Sequence, residues 1–169
     1  MFHRRGVEGG SLKPSSTTLE SFMRSCVGRT PATNQSTSGT LLYVTDLEGD
    51  SDEALASVCE MADRNCVDLE LVHVVDVQRA PSSPDAQMGI LYRLETLARR
   101  LRNLRRNVAS LLLFGTPEDV ISKRAWDIKA KLVAFGINGA SSRDIQRKLV
   151  RRVRRRVSCP VVIIAARAA

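Results

Sequence analysis

Two glycines, Gly136 and Gly139, stand where an apolar run from Lys131 to Gly136 gives way to a helical period that begins near Ser142. A glycine-bearing turn between a strand and a helix lets backbone N–H groups approach a bound group closely, so any ligand is expected at the Gly136 to Gly139 loop. The same glycines would also serve a turn that needs positive φ and no ligand at all. A second feature is the acidic series Asp46, Glu48, Asp50, Asp52 and Glu53, which follows another apolar run. Its simplest role is to solvate a loop and start a helix, with Asp50 as N-cap and Glu53 three residues later in a capping-box arrangement. The glycine and distal glutamate of a calcium loop are not in place, so no metal site is expected.

Other reactive residue types are placed less suggestively. His73 lies inside the apolar string L-V-H-V, where a hydrogen-bonded core histidine is the expectation, and His3 lies near the N-terminus. Cys26, Cys59, Cys66 and Cys159 show neither C-x-x-C nor Cys/His metal spacing, which fits a reducing cytoplasm better than a disulfide framework. No nucleophile elbow or pair of catalytic carboxylates is present, so no catalytic residue is named and an enzyme is not expected.

The net charge of +8 is uneven. Arg143 to Arg156 holds eight Arg/Lys against one Asp, and Tyr92 to Arg106 holds six Arg against one Glu, so the rest of the chain is mildly acidic. Arg99, Arg102, Arg106, Arg151 and Arg155 could form a polyanion-binding module. Aromatic residues are only 4% of the chain, which leaves little material for base stacking, and a nucleic-acid partner is not the expectation.

The elements that must position these residues are legible. With 169 residues, 43% of them hydrophobic, the chain can bury one full core, and no apolar run approaches membrane-spanning length. Residues 1–39 are rich in Ser, Thr, Gly, Pro and Arg without a sustained apolar period and read as a disordered or loosely packed tail. Leu19, Phe22 and Met23 offer one short amphipathic turn within it, and its acid-poor character also admits a transit peptide. Residues 40–169 read as one α/β domain. Strands are expected over Thr40–Asp46, Leu69–Asp76, Val108–Phe114, Lys131–Gly136 and Pro160–Ala165, with helices starting near Ser51, Gln87, Pro117 and Ser142. The strands are continuously apolar, as befits a parallel sheet covered on both faces. The last helix carries Ile145, Leu149, Val150, Val153 and Val157 on one stripe. Trp126 is expected to pack against the sheet or an interface.

Together L-L-Y-V-T-D, L-E-L-V-H-V-V-D, the segment from G-T-P-E-D to K-L-V-A-F-G, and C-P-V-V-I-I resemble, in order and spacing, the universal stress protein family over Thr40 to Ala165. The resemblance implies a doubly wound five-stranded parallel sheet of flavodoxin-like, adenine-nucleotide α-hydrolase-like type, order 3-2-1-4-5, with the ligand crevice between the first and fourth strands. It implies ATP or another adenine nucleotide as the ligand class. The counterpart of Asp46 contacts the nucleoside, where a carboxylate accepts hydrogen bonds from ribose hydroxyls, and Val44, Thr45 and Val74 match positions lining the adenine.

Nucleotide-binding members carry a Gly-x-x-Gly, nine residues, then Gly-Ser or Gly-Thr. Gly136 and Gly139 match the first half. The intervening segment has shrunk to Ala140–Gln146, and Arg147 and Lys148 stand where Gly-Ser belongs. Two long cations cannot reproduce a backbone cradle, so the expectation is a non-catalytic regulatory protein with an altered nucleotide site. The alternative is a true ATP-binding member, capable at most of slow hydrolysis, in which Ser141, Ser142, Arg147 and Lys148 hold the phosphates. The resemblance also implies a homodimer formed through the Pro160 to Ala165 edge strand, with a further protein partner as a second possibility.

Overall fold

The computed structural model describes residues 39–48, 50–78, 83–104, 107–137 and 143–165. Residues 1–38 of the expected tail, and Gly139, Ser141 and Ser142 of the expected loop, lie outside the described residues. The elements run β1 (Thr40–Val44), α1 (Asp52–Arg64), β2 (Asp68–Val75), α2 (Pro84–Leu104), β3 (Val108–Phe114), α3 (Pro117–Asp127), β4 (Leu132–Ile137), α4 (Arg143–Arg154) and β5 (Val161–Ala165). All five strands are parallel in the order β3-β2-β1-β4-β5. This is the expected doubly wound sheet.

Alternation along β1 divides the core into two layers. Leu41 and Tyr43 pack with Leu55 and Val58 of α1 and Leu97 and Leu101 of α2. Leu42 and Val44 point the other way, toward Ile121 and Ala125 of α3 and Val150 and Val153 of α4. A strand that must bury both of its faces cannot alternate apolar with polar, which is why the strands read as unbroken hydrophobic runs. β1 sits at the centre with β2 and β4 beside it, and β3 and β5 are the sheet edges. Order reverses between β1 and β4, so the crevice at their carboxyl ends is the place where loops diverge and leave space.

Three local expectations are corrected. The N-cap of α1 is Ser51, whose hydroxyl accepts the Ala54 N–H at 3.2 Å, and Asp50 turns inward instead. α2 begins at Pro84, three residues before Gln87, because proline fits the first helical turn where its missing N–H costs nothing. On α4 it is Gln146, not Ile145, that turns inward in line with Val150 and Val153. Ile145 is more than half exposed.

Candidate functional site

The crevice is built from the floor upward. Tyr43 is the last inward-facing residue of β1 on the α1/α2 side and is fully buried. A buried phenol needs a hydrogen-bond partner. Asp50 supplies it: the Tyr43 hydroxyl donates to one Asp50 carboxylate oxygen at 2.5 Å, and the Thr45 hydroxyl donates to the other at 2.5 Å. Thr45 Oγ1 in turn accepts the Leu47 N–H at 2.9 Å. Burial and the adjacent Asp50 charge push the Tyr43 phenol far above its usual range, so it stays a protonated donor.

Gly136 faces this cluster from β4, where it lies in the strand and not in a turn of positive φ. A Cβ at Gly136 would lie 2.7 Å from Asp50 Oδ1 and 3.0 Å from Tyr43 Cζ, and would press on the Tyr43 hydroxyl as well. The glycine is therefore required by the close approach of Tyr43 and Asp50. Neither of the two reasons suggested by its place in the sequence, ligand approach or positive φ, is needed to explain it.

On the opposite sheet face, Asp46 follows β1 by two residues. One of its carboxylate oxygens accepts the Glu48 N–H at 2.9 Å, and the other accepts the side-chain amide of Gln146, which reaches across from α4. The Gln146 carbonyl oxygen is buried and has no hydrogen-bond partner among the described residues. Val44 is buried and Val74 half-buried in the layer under α3 and α4, so the structure brings Val44, Val74 and Asp46 to the same side of the sheet. Thr45 sits on the other side, with its hydroxyl committed to Asp50. Arg147 and Lys148 are exposed on α4. They are its fifth and sixth residues, so their N–H groups point back to carbonyls four residues earlier and not toward the crevice.

His73 joins the two sides of the site. Its Nδ1 lies 2.8 Å from the Thr45 carbonyl, so the neutral ring donates from Nδ1–H. Burial lowers its pKa. The Thr45 bond opposes that shift, Arg93 adds to it, and Asp46 opposes it. The folded state therefore resists protonation, and the stabilisation it draws from neutral His73 is present above the unfolded value near 6.5 and lost as pH falls toward the lower folded value. Between about pH 7 and 5.5, the native protein is expected to lose more stability in urea titrations than a His73→Gln variant. Parallel pH profiles for the two would remove His73 as the cause.

A groove of about 160 Å³ opens beside α2, over Leu47, Asp50, Tyr92, Thr96 and Arg100. Pockets that hold drug-sized ligands run to roughly 300 to 1,000 Å³, and this groove is smaller than that range. Among the described residues no group of three or more His, Cys, Asp or Glu is placed to hold a metal ion. No helix among them is long and apolar enough to cross a membrane.

Two site residues, Tyr43 and Gln146, are not singled out by the sequence. A lone tyrosine in an aliphatic strand is a signal in retrospect, since its hydroxyl has to be satisfied. Gln146 has none: it is one polar residue on a helix full of them.

Comparison with solved structures shows the same fold. The chain is similar to a universal stress protein from Archaeoglobus fulgidus in complex with dAMP, at 21% identity and TM-score 0.57, covering 74% of this chain and 97% of that one. A universal stress protein in complex with cAMP matches at 19% identity and TM-score 0.57, covering 75% and 96%. A family protein from Burkholderia pseudomallei matches at 23% identity and TM-score 0.50, covering 78% and 99%. No curated protein matches the chain. The family model described as "Universal stress protein family" matches residues 38–165, which takes in every described strand and helix, and the chain belongs to that family.

Proposed function

We propose that this chain is a non-catalytic regulatory universal stress protein whose adenine-nucleotide site is altered, its ligand-facing groups being held by the chain itself. The observation that carries this reading is the contact between Asp46 and Gln146: the carboxylate expected to accept ribose hydroxyls already accepts an amide from α4. The Tyr43–Asp50 pair, packed against Gly136, fills the neighbouring part of the crevice in the same way. Adenine nucleotides are the ligand class to test, because relatives of this fold are complexed with dAMP and cAMP. The regulatory role is taken to be exercised in the cytoplasm by a homodimer paired through β5, an edge strand on which Ile163 is half exposed.

Calorimetric titration with ATP, AMP and cyclic AMP tests the reading. The native protein is expected to bind weakly, because a ligand must first displace Gln146. Gln146→Ala removes the competing donor and one buried unpaired carbonyl, and is expected to bind at least tenfold more tightly, about 1.4 kcal/mol. Flat heats for both proteins at millimolar nucleotide would exclude a nucleotide site. Equal affinities would exclude Gln146 as the group that blocks it.

A further inference from the structure

From Arg147 onward, the cations along and just past α4 fall into two populations. Arg152 pairs with Glu118 of α3 at 2.8 Å, Arg156 just beyond the helix pairs with Asp119, and Arg154 lies 3.5 Å from the Val161 carbonyl. These three tie α4 to its neighbours. Arg147, Lys148, Arg151 and Arg155 are exposed and have no ion pair among the described residues. At 3.6 residues per turn these four fall within an arc of about 100° and run for about 12 Å along and just past the helix, opposite the buried Val150 and Val153. Asp144 is the one acidic residue on that side.

The other arginines that could have served a polyanion divide differently. Arg102 is spent on β3, with its guanidinium donating to the Val108 carbonyl, Ser110 and Glu95, and Arg106 lies outside the described residues. Arg99 stays exposed on α2, which packs on the opposite face of the sheet, so the row on α4 stands apart from it.

We propose that this outward face of α4 binds the phosphodiester backbone of a nucleic-acid strand. Arg147 and Arg151, and Arg151 and Arg155, are like charges at i,i+4, an arrangement unfavourable by itself that a polyanion relieves. A row of cations spaced one helical turn apart matches a chain of regularly spaced phosphates, and binding releases the counterions condensed on that chain. Trp126 of α3 lies by the chain just past α4, 63% exposed, with its indole N–H donating to the Arg156 carbonyl. That bond fixes the ring while leaving it accessible to an unpaired base, so single strands are the favoured form. A lipid surface fits less well, since the apolar side of α4 is buried against the sheet and has nothing to insert.

The test is fluorescence anisotropy with a labelled single-stranded mixed-sequence oligodeoxynucleotide, titrated with the full chain at several salt concentrations. With three to four phosphates neutralised at about 0.7 each, the log–log salt slope is expected near −2 to −3. The variant R147Q/R151Q/R155Q is expected to lose at least tenfold in affinity at low salt and about 2 from that slope, and R151Q/R155Q an intermediate amount. A charge-matched control on other surfaces, R64Q/R99Q/K131Q, should keep the slope, and thermal melting confirms that each variant is folded. No binding at low salt would overturn the proposal, as would an unchanged slope in R147Q/R151Q/R155Q. Salt-sensitive binding to phosphatidylserine vesicles without binding to the oligonucleotide would overturn it as well.

Discussion

Replacing Arg124 with alanine is expected to cost this protein about 3 kcal/mol of stability, the low end of the 3–5 kcal/mol typical when one partner of a buried ion pair is removed. Glu70 sits in the middle of β2 with its carboxylate almost fully buried, and both of its oxygens accept from the Arg124 guanidinium, at 2.7 and 2.5 Å. The hydrogen bonds to Glu70 hold the Arg124 pKa above its usual value. About a third of the Arg124 side chain remains exposed, so water can reach the vacated site and soften the loss. For a domain of this size the midpoint of thermal unfolding should fall by roughly 10 °C. Glu70→Leu together with Arg124→Met should lie within about 1 kcal/mol of the native protein, because the pair is costly to break and nearly neutral to replace. A loss in the double variant as large as in Arg124→Ala would mean that packing, not an orphaned charge, sets the effect.

The Glu70 case shows where reading the chain reaches its limit. L-E-L-V-H-V-V-D is legible as a buried parallel strand, and the structure places β2 there, shifted by one residue at each end. That the strand buries a glutamate is tolerable only because Arg124, 54 positions later, comes to lie over it when α3 packs on β2. The partner is supplied by topology, and no local pattern signals it. Asp50 is a similar case. The sequence points to Asp50 with Glu53 as the helix start, and the structure uses Ser51 with the Ala54 N–H. The choice follows Tyr43, whose buried hydroxyl requires an acceptor, which Asp50 provides. Gln146 and Ile145 compete in the same manner for the inward position of α4. Hydrophobicity favours the isoleucine, yet Asp46, one hundred residues away, lies opposite the glutamine.

The strands were legible because most of their residues are apolar on both sheet faces. The crevice was only half legible, because its groups satisfy one another across the sheet. Counting residues from C-P-V puts Arg147 and Lys148 at the position of a phosphate cradle, but α4 already starts at Arg143, so those residues fall in its second turn. What a shortened segment does to a site depends on where the helix begins, and spacing alone does not convey it.

Gly136 offers the sharpest way to learn whether the crevice is reserved for a ligand or for the chain itself. Its backbone is ordinary strand, which alanine adopts more readily than glycine, so Gly136→Ala should be neutral or stabilising unless the added methyl meets something. It meets Asp50 Oδ1 and the Tyr43 phenol, both buried and held in place by their mutual hydrogen bond. Overpacking of this kind costs about 1–3 kcal/mol, and the upper end is expected because neither group can withdraw without leaving the other unsatisfied. Tyr43→Phe removes the hydroxyl that crowds the site, at a cost of about 1–2 kcal/mol for the hydrogen bond lost to Asp50. In that background Gly136→Ala should become cheaper by about 1–2 kcal/mol, a coupling that urea denaturation of the four proteins in a double-mutant cycle resolves. If the two substitutions are additive, the glycine is not kept for the Tyr43–Asp50 pair, and a ligand becomes the better reason for its presence. If they couple, the floor of the crevice is part of the protein's own core, and any nucleotide must bind on the other side of the sheet, where Asp46 and Gln146 meet.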